Sequence, residues 1–196
     1  MARHPLPAGA AVGPGAGDPA LKILLTGRPG VGKTTVIRRL AGALVDLEPT
    51  GFCTEEIREG GRRVGFRLSG FHGETGVLAR VGRGPPRVGR YGVDVEGLEA
   101  FLARVPWDRG RVILLDEIGR MECLSGRFVS LVERLLEDPR PVVATRALKV
   151  PPAVAPLLEA VPHRVLRVTE RNRDALPAGL ARAVRETAAG LPGPDR

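Results

Sequence analysis

Apolar residues along this chain follow two rhythms. Short unbroken runs, "LKILLTG" (21–27), "RVILLDE" (111–117), "PVVATR" (141–146) and "HRVLRVT" (163–169), have the length and flanks of buried strands. Between them apolar residues recur at helical spacing. Val36, Ile37, Leu40, Leu44 and Leu47 mark one helix in "KTTVIRRLAGALVDL". "DVEGLEAFLARV" predicts a second with Asp94 as N-cap, and "CLSGRFVSLVERLLED" a third, stopped by Pro139. "RDALPAGLARAVRETAAG" predicts a closing helix that Pro177 interrupts near its start. Strands alternating with helices imply an α/β fold with a mainly parallel sheet and helices on both faces.

Two stretches break the alternation. "GFCTEEIREGGRRVGF" (51–66) predicts a β-hairpin around a Gly60-Gly61 turn. Counting outward, Glu59 faces Arg62, Arg58 faces Arg63, Ile57 faces Val64 and Glu55 faces Phe66. That register puts Glu55 on a face with Cys53, Ile57, Val64 and Leu68, and Glu56 on the other with Arg58, Arg63 and Arg67. A carboxylate among apolar neighbours is costly unless paired. Glu55 therefore either pairs with an arginine or helps hold water at a reacting centre. "RVGRGPPRVGR" (80–90) reads as a solvated loop, or as an arginine-bearing lid.

The first 20 residues are rich in Ala, Gly and Pro and lack a secretory apolar core, so they are expected to form a disordered tail, as are residues 191–196. Residues 21–190 are then long enough for one α/β domain. No run approaches the ~20 apolar residues of a membrane helix. Two cysteines, Cys53 and Cys123, without a CxxC, give no disulfide framework or zinc site, which makes the cytoplasm the expected location. The net charge of +8 is carried by arginine, since Lys22, Lys33 and Lys149 are the only lysines. With no glutamine and a single asparagine, this composition fits a GC-rich genome or a hot habitat. The arginines are dispersed and aromatic platforms are few, so nucleic acid is a possible partner but not a favoured one.

The candidate chemistry begins at "GRPGVGKTT", where Gly27, Arg28, Pro29, Gly30, Val31, Gly32, Lys33, Thr34 and Thr35 match and extend GxxxxGK[ST]. The glycines let backbone N–H groups wrap an anion, and the following helix N-terminus adds its partial positive charge. Lys33 reaches the β- and γ-phosphates, and Thr34 offers its hydroxyl to Mg²⁺. "VILLDE" supplies the metal-anchoring acid on another strand: Asp116 for Mg²⁺, with Glu117 beside it to orient and deprotonate an attacking water. "DEIG" also fits a GTPase switch, but no N/TKxD element is present to read guanine.

"LTGRPGVGKTT", the hairpin block, "DEIGRMECLS" and "VTERNRDALP" together resemble the nucleoside-triphosphatase family of archaea, bacteria and vertebrates, whose vertebrate members include the cancer-related nucleoside-triphosphatase. The similarity runs in order from Leu21 to Leu180. It implies a three-layer, RecA-like P-loop NTPase fold with an added β-hairpin, and Mg²⁺-dependent hydrolysis of ATP, GTP, CTP and UTP to diphosphate and phosphate with low base specificity. It also implies nucleotide contacts from Leu114, Leu115, Asp116, Glu117, Ile118 and Gly119. Cys53 replaces the usual tyrosine, Cys123 and Leu124 alter "MELF", and "ATRALKV" departs from the family, so no contacts are carried over to Arg146 or Lys149. Asn172 and Asp174 read as helix caps or base contacts.

Three function classes remain open. A hydrolase needs only water. A P-loop kinase would pass the γ-phosphate to a nucleoside or other small acceptor beneath the 80–90 lid. A nucleotide-gated module would act on RNA or a protein. The hydrolase is favoured, as a monomer or weak oligomer with Lys33 and Glu117 as its catalytic pair.

Overall fold

A computed structural model of the chain describes residues 21–191. The tail expected over 1–20 lies outside them, as does the end expected over 191–196 apart from Leu191. The strands are β1 (Lys22–Thr26), β2 (Thr50–Glu59), β3 (Arg62–Gly70), β4 (Thr75–Val81), β5 (Arg87–Val88), β6 (Tyr91–Val93), β7 (Ile113–Ile118), β8 (Val142–Arg146) and β9 (Arg164–Arg167). The helices are α1 (Lys33–Ala43), α2 (Val95–Leu102), α3 (Gly126–Glu137), α4 (Ala155–Ala160) and α5 (Leu176–Ala189).

All nine strands form one sheet in the order β5-β6-β4-β3-β2-β7-β8-β1-β9. From β2 to β9 every pairing is parallel; from β2 to β5 every pairing is antiparallel. β2 thus belongs to both halves. Helices cover the two faces. Val36, Ile37 and Leu40 of α1 and Leu180 and Val184 of α5 pack with Ile23, Leu25 and Leu114 on one side. Leu98 and Phe101 of α2, Phe128 and Leu131 of α3 and Leu158 of α4 pack with Leu24, Phe52 and Leu115 on the other. Alternate residues of β1 therefore feed opposite cores, the period of a strand buried on both faces. Phe52 anchors the second core edge-on to Phe101, with centroids 5.4 Å apart.

Local chemistry explains the ends. Asp94 caps α2 by accepting from Gly97 N at 3.0 Å, as the sequence predicts. Ser125 caps α3 by accepting from Phe128 N at 3.1 Å. Pro177 does not interrupt α5, because it sits in the first turn, where no intrahelical donor is lost. α1 ends at Ala43, and Val45–Leu47 tightens into a 3-10 turn. Gly51 is required by close approach: a Cβ there would stand 1.9 Å from Leu114 O on β7.

The hairpin corrects the expected register. Glu59↔Arg62 and Arg58↔Arg63 pair as counted, but a bulge then adds Val64 on β3, so Ile57 faces Gly65 and Glu55 faces Arg67. Glu55 consequently has Arg67 rather than Phe66 across the ladder. Leu68 falls opposite Thr54 and points into the core lined by α2 and α3. The expected single hairpin continues into β4, β5 and β6; Arg80 and Val81 end β4 and Arg87 and Val88 form β5, while the rest of the 80–90 segment is loop and turn, as expected. Four strands, β6, β4, β3 and β2, separate its edge strand β5 from β7, so it is no lid over the phosphate loop. Among the described residues no helix is long and apolar enough to cross a membrane.

Candidate active site

The loop between β1 and α1 is "GRPGVG", with Lys33 opening the helix. Gly32 occupies the N-cap of α1 at φ 108°, in the left-handed region where a side chain is strained, and this bend turns the loop into the helix. Arg28, Pro29 and Gly30 are exposed, while Val31 through Thr34 are half-buried and Thr35 is exposed. Lys33 Nζ donates to Gly27 O at 3.3 Å and lies 3.7 Å from Glu117 Oε2. A lysine at the loop's end thus spans from the start of its own loop to the acid of β7.

Asp116 is buried, at 3% exposure, in the midst of hydroxyl groups. Thr34 Oγ1 donates to its Oδ2 at 2.6 Å, and Thr145 Oγ1, from the end of β8, donates to its Oδ1. Thr54 Oγ1 of β2 donates to its carbonyl at 2.8 Å. The strand order places β8 between β1 and β7, so Thr145 stands where the two motifs meet. Burial pushes the Asp116 carboxyl up, against the pull of Thr145, Thr34 and Lys33. Burial also raises Glu117, countered by Lys33 and reinforced by Asp116.

A third acid joins them. Glu122 is buried, at 3% exposure, in a 3-10 turn after β7. Burial pushes its carboxyl up to about 8, helped by the charges of Glu117 and Asp116 and opposed by the backbone N–H groups of Glu122 and Gly119. Gly119 must be small here, because a Cβ would meet Glu122 Oε2 at 2.6 Å and Glu117 Oε1 at 3.0 Å.

The remaining sequence candidates divide clearly. Leu114, Leu115 and Ile118 are fully packed in the two cores, so this segment presents its acids and hides its apolar members. Glu55 sits two residues beyond Cys53, whose Cα pairs with Asp116, which brings it beside the site. Both of its oxygens are taken: Oε1 by Arg38, one turn along α1 from Thr34, and Oε2 by Arg67 at 2.5 Å. Those two bonds hold its carboxyl below the usual range, Arg67 most strongly. Glu56 pairs with Arg58 and Arg63, as its face predicts. Asn172 caps no helix. Its Oδ1 accepts from Thr169 N at 2.8 Å and its Nδ2 donates to Arg167 O at 2.9 Å, stapling the turn after β9. Asp174 pairs with Arg39. Arg146 is half-buried at the end of β8, where desolvation lowers its pKa, and Lys149 is exposed.

Sequence reasoning missed Thr54, Thr145, Glu122 and Arg173, whose Nη1 donates to Val31 O of the phosphate loop at 3.3 Å. Thr145 carries the same signal as Asp116, a polar residue closing an apolar strand, and could have been found by it. Thr54 becomes visible only when β2 pairs with β7, and Glu122 and Arg173 only when the turn after β7 and the turn after β9 fold beside the site.

Comparison with known proteins agrees with this geometry. A family model described as NTPase matches residues 22–181. A curated nucleoside-triphosphatase THEP1 of Thermotoga petrophila is 42% identical over 164 residues, covering 80% of this chain and 88% of that protein. The crystal structure of THEP1 from the hyperthermophile Aquifex aeolicus superposes with a TM-score of 0.72 at 32% identity, over 84% of this chain and 99% of that one. The solution structure of a human cancer-related nucleoside triphosphatase gives a TM-score of 0.71 at 34% identity, over 85% of this chain and 98% of that one.

Proposed function

The chain belongs to the NTPase family, and we propose that it hydrolyses nucleoside 5′-triphosphates to diphosphate and phosphate with Mg²⁺, using ATP, GTP, CTP and UTP with little preference. The observation that carries this reading is the meeting of two motifs distant in sequence, Thr34 against Asp116, 82 positions on, and Lys33 against Glu117.

The donor set fits Mg²⁺. A hydroxyl and a carboxylate are hard oxygen ligands, and among the described residues no cluster of three or more His, Cys, Asp or Glu groups could hold a softer metal. Thr34 and Asp116 would hold the ion, which leaves the rest of its shell to phosphate oxygens and water. When bound, Mg²⁺ supplies positive charge against the β- and γ-phosphates.

The chain's own groups supply the remainder. Backbone N–H groups of Gly30 through Thr34 and the N-terminus of α1 receive the phosphates. Lys33 adds a point charge where negative charge gathers on the leaving diphosphate. An arriving γ-phosphate competes with Glu117 for the Lys33 ammonium. The carboxylate is thereby freed to align a water and accept its proton, a task suited to an acid whose pKa burial has raised. Thr145 and Thr54 fix Asp116 in one orientation.

A cytoplasmic, monomeric or weakly oligomeric enzyme accords with this chemistry. The test is phosphate release from all four triphosphates with Mg²⁺, measured for the native chain, Lys33→Ala and Glu117→Gln. Release without any acceptor or RNA, abolished by both substitutions while Glu117→Gln still binds ATP, is the expected result. Silence until an acceptor or RNA is supplied overturns it in favour of a kinase or a partner-gated module.

A further inference from the structure

The turn between β9 and α5, residues 168–175, lies against the phosphate loop on the side away from the acids. The sheet order β7-β8-β1-β9 fixes this: β7 brings Asp116 and Glu117 from one side of β1, and β9 delivers the turn from the other. Val168 N donates to Thr26 O at 2.7 Å, and the Asn172 staple and the Arg39–Asp174 pair hold the turn in place. From it Arg173 extends over the loop. Its Nη1 donates to Val31 O at 3.3 Å, and its stem passes so close to Gly32 that a Cβ there would meet Arg173 Cδ at 3.3 Å. The side chain is half-buried, and among the described residues it has no carboxylate partner.

A triphosphate whose γ-end lies at Lys33, Asp116 and Glu117 runs its α-phosphate and nucleoside away from β7, toward this turn. We infer that Arg173 is the nucleoside-side residue of the site, its guanidinium plane stacking on whichever base the bound triphosphate carries. This deepens the hydrolase reading above and rests on it. A planar cation attracts the π-face of every base, whereas discrimination requires hydrogen bonds to base edges. The two side chains of the turn best suited to reading edges are already committed, Asn172 to backbone groups on both ends of its amide and Asp174 to Arg39. Loose base preference then follows from what the turn offers: a flat cation without a free amide beside it.

The test is equilibrium binding of Mg·ATP, Mg·GTP, Mg·CTP, Mg·UTP and inorganic tripolyphosphate to the native chain, Arg173→Ala and Arg173→Lys, with melting temperatures recorded alongside. The expected result is a loss of about tenfold in affinity for all four nucleotides in Arg173→Ala. Tripolyphosphate binding stays unchanged, and Arg173→Lys recovers little, because an ammonium keeps the charge but not the plane. Equal weakening of tripolyphosphate, unaltered nucleotide affinity, full rescue by lysine, or loss confined to one base each overturns the inference. Failure of the native chain to bind any nucleotide overturns the hydrolase reading itself and removes the ground for this one.

Discussion

Thr34 Oγ1 and Asp116 Oδ2 stand 2.6 Å apart, tying the first turn of α1 to the end of β7. The contact joins the two motifs and also buries a carboxylate whose charge burial opposes. Activity and stability therefore pull in opposite directions at Asp116. In Asp116→Asn, hydrolysis should fall by about 10²-fold or more, the scale for removing one charge-stabilising group. The melting temperature should hold or rise, because an amide is less costly to bury than a carboxylate. Phosphate release across a Mg²⁺ titration, set beside thermal melts, checks this. A parallel loss of both would make Asp116 a structural residue.

Glu55 is held between Arg38 and Arg67, both about half exposed. Exposed pairs are weak, so Glu55→Gln should cost about 1 kcal/mol or less at neutral pH and leave turnover within about threefold. The sign with pH is fixed by the lowered carboxyl pKa. The pair's contribution is fully present above the ordinary glutamate value and is lost as pH falls through the lower, folded value. Denaturant melts of both proteins should therefore converge in acid. A collapse of turnover with stability intact would instead place Glu55 in the chemistry.

Glu122 titrates the other way. Its folded pKa of about 8 lies above the ordinary 4.5. Between those values the unfolded chain has lost the proton and the folded chain keeps it, so stability falls as pH rises through the window. Glu122→Gln cannot ionise. Its stability relative to the native chain should climb from about pH 4.5 to about pH 8 and then level off, by a few kcal/mol at most. The slope is the readout, since a constant offset from the buried amide does not alter it. A flat difference across that range would show that Glu122 is ionised in the fold.

Arg87 and Arg90 lie at the antiparallel edge, remote in strand order from β7. Arg87→Ala and Arg90→Ala should leave hydrolysis of all four triphosphates within about twofold, the range of ordinary surface changes. A tenfold drop in turnover would restore the lid.

The parallel half of the fold was legible because each of its signals is local. "LKILLTG", "VILLDE" and "VVATR" are apolar runs closed by a glycine or a polar residue; Asp116 and Glu117 sit at such a closure, and Lys33 and Thr34 open the helix that follows the first. The antiparallel half was not. Its outer strands are built from "TGVLARV", "RV" and "YGV", where glycine and arginine imitate loop. The Val64 bulge inverts the parity of every pair beyond it, so an unbroken count sets Glu55 against Phe66 where the ladder sets it against Arg67. Arg173 was hidden for a different reason. Its partner is a carbonyl 142 positions away, and no periodicity carries that.

The place of β1 has a consequence for how the chain comes off a ribosome. Its residues, 22–26, are made before any other described strand, yet its two ladder partners are residues 142–146 and 164–167. The strands β2 to β6 close on themselves within residues 50–93 and can form early, as local contacts do. β1 must wait through the synthesis of more than a hundred residues with both edges unsatisfied, a state that invites wrong pairing. The phosphate loop is written first and assembled last, so a chain halted before β8 carries the whole glycine-rich motif and has no pocket to put it in.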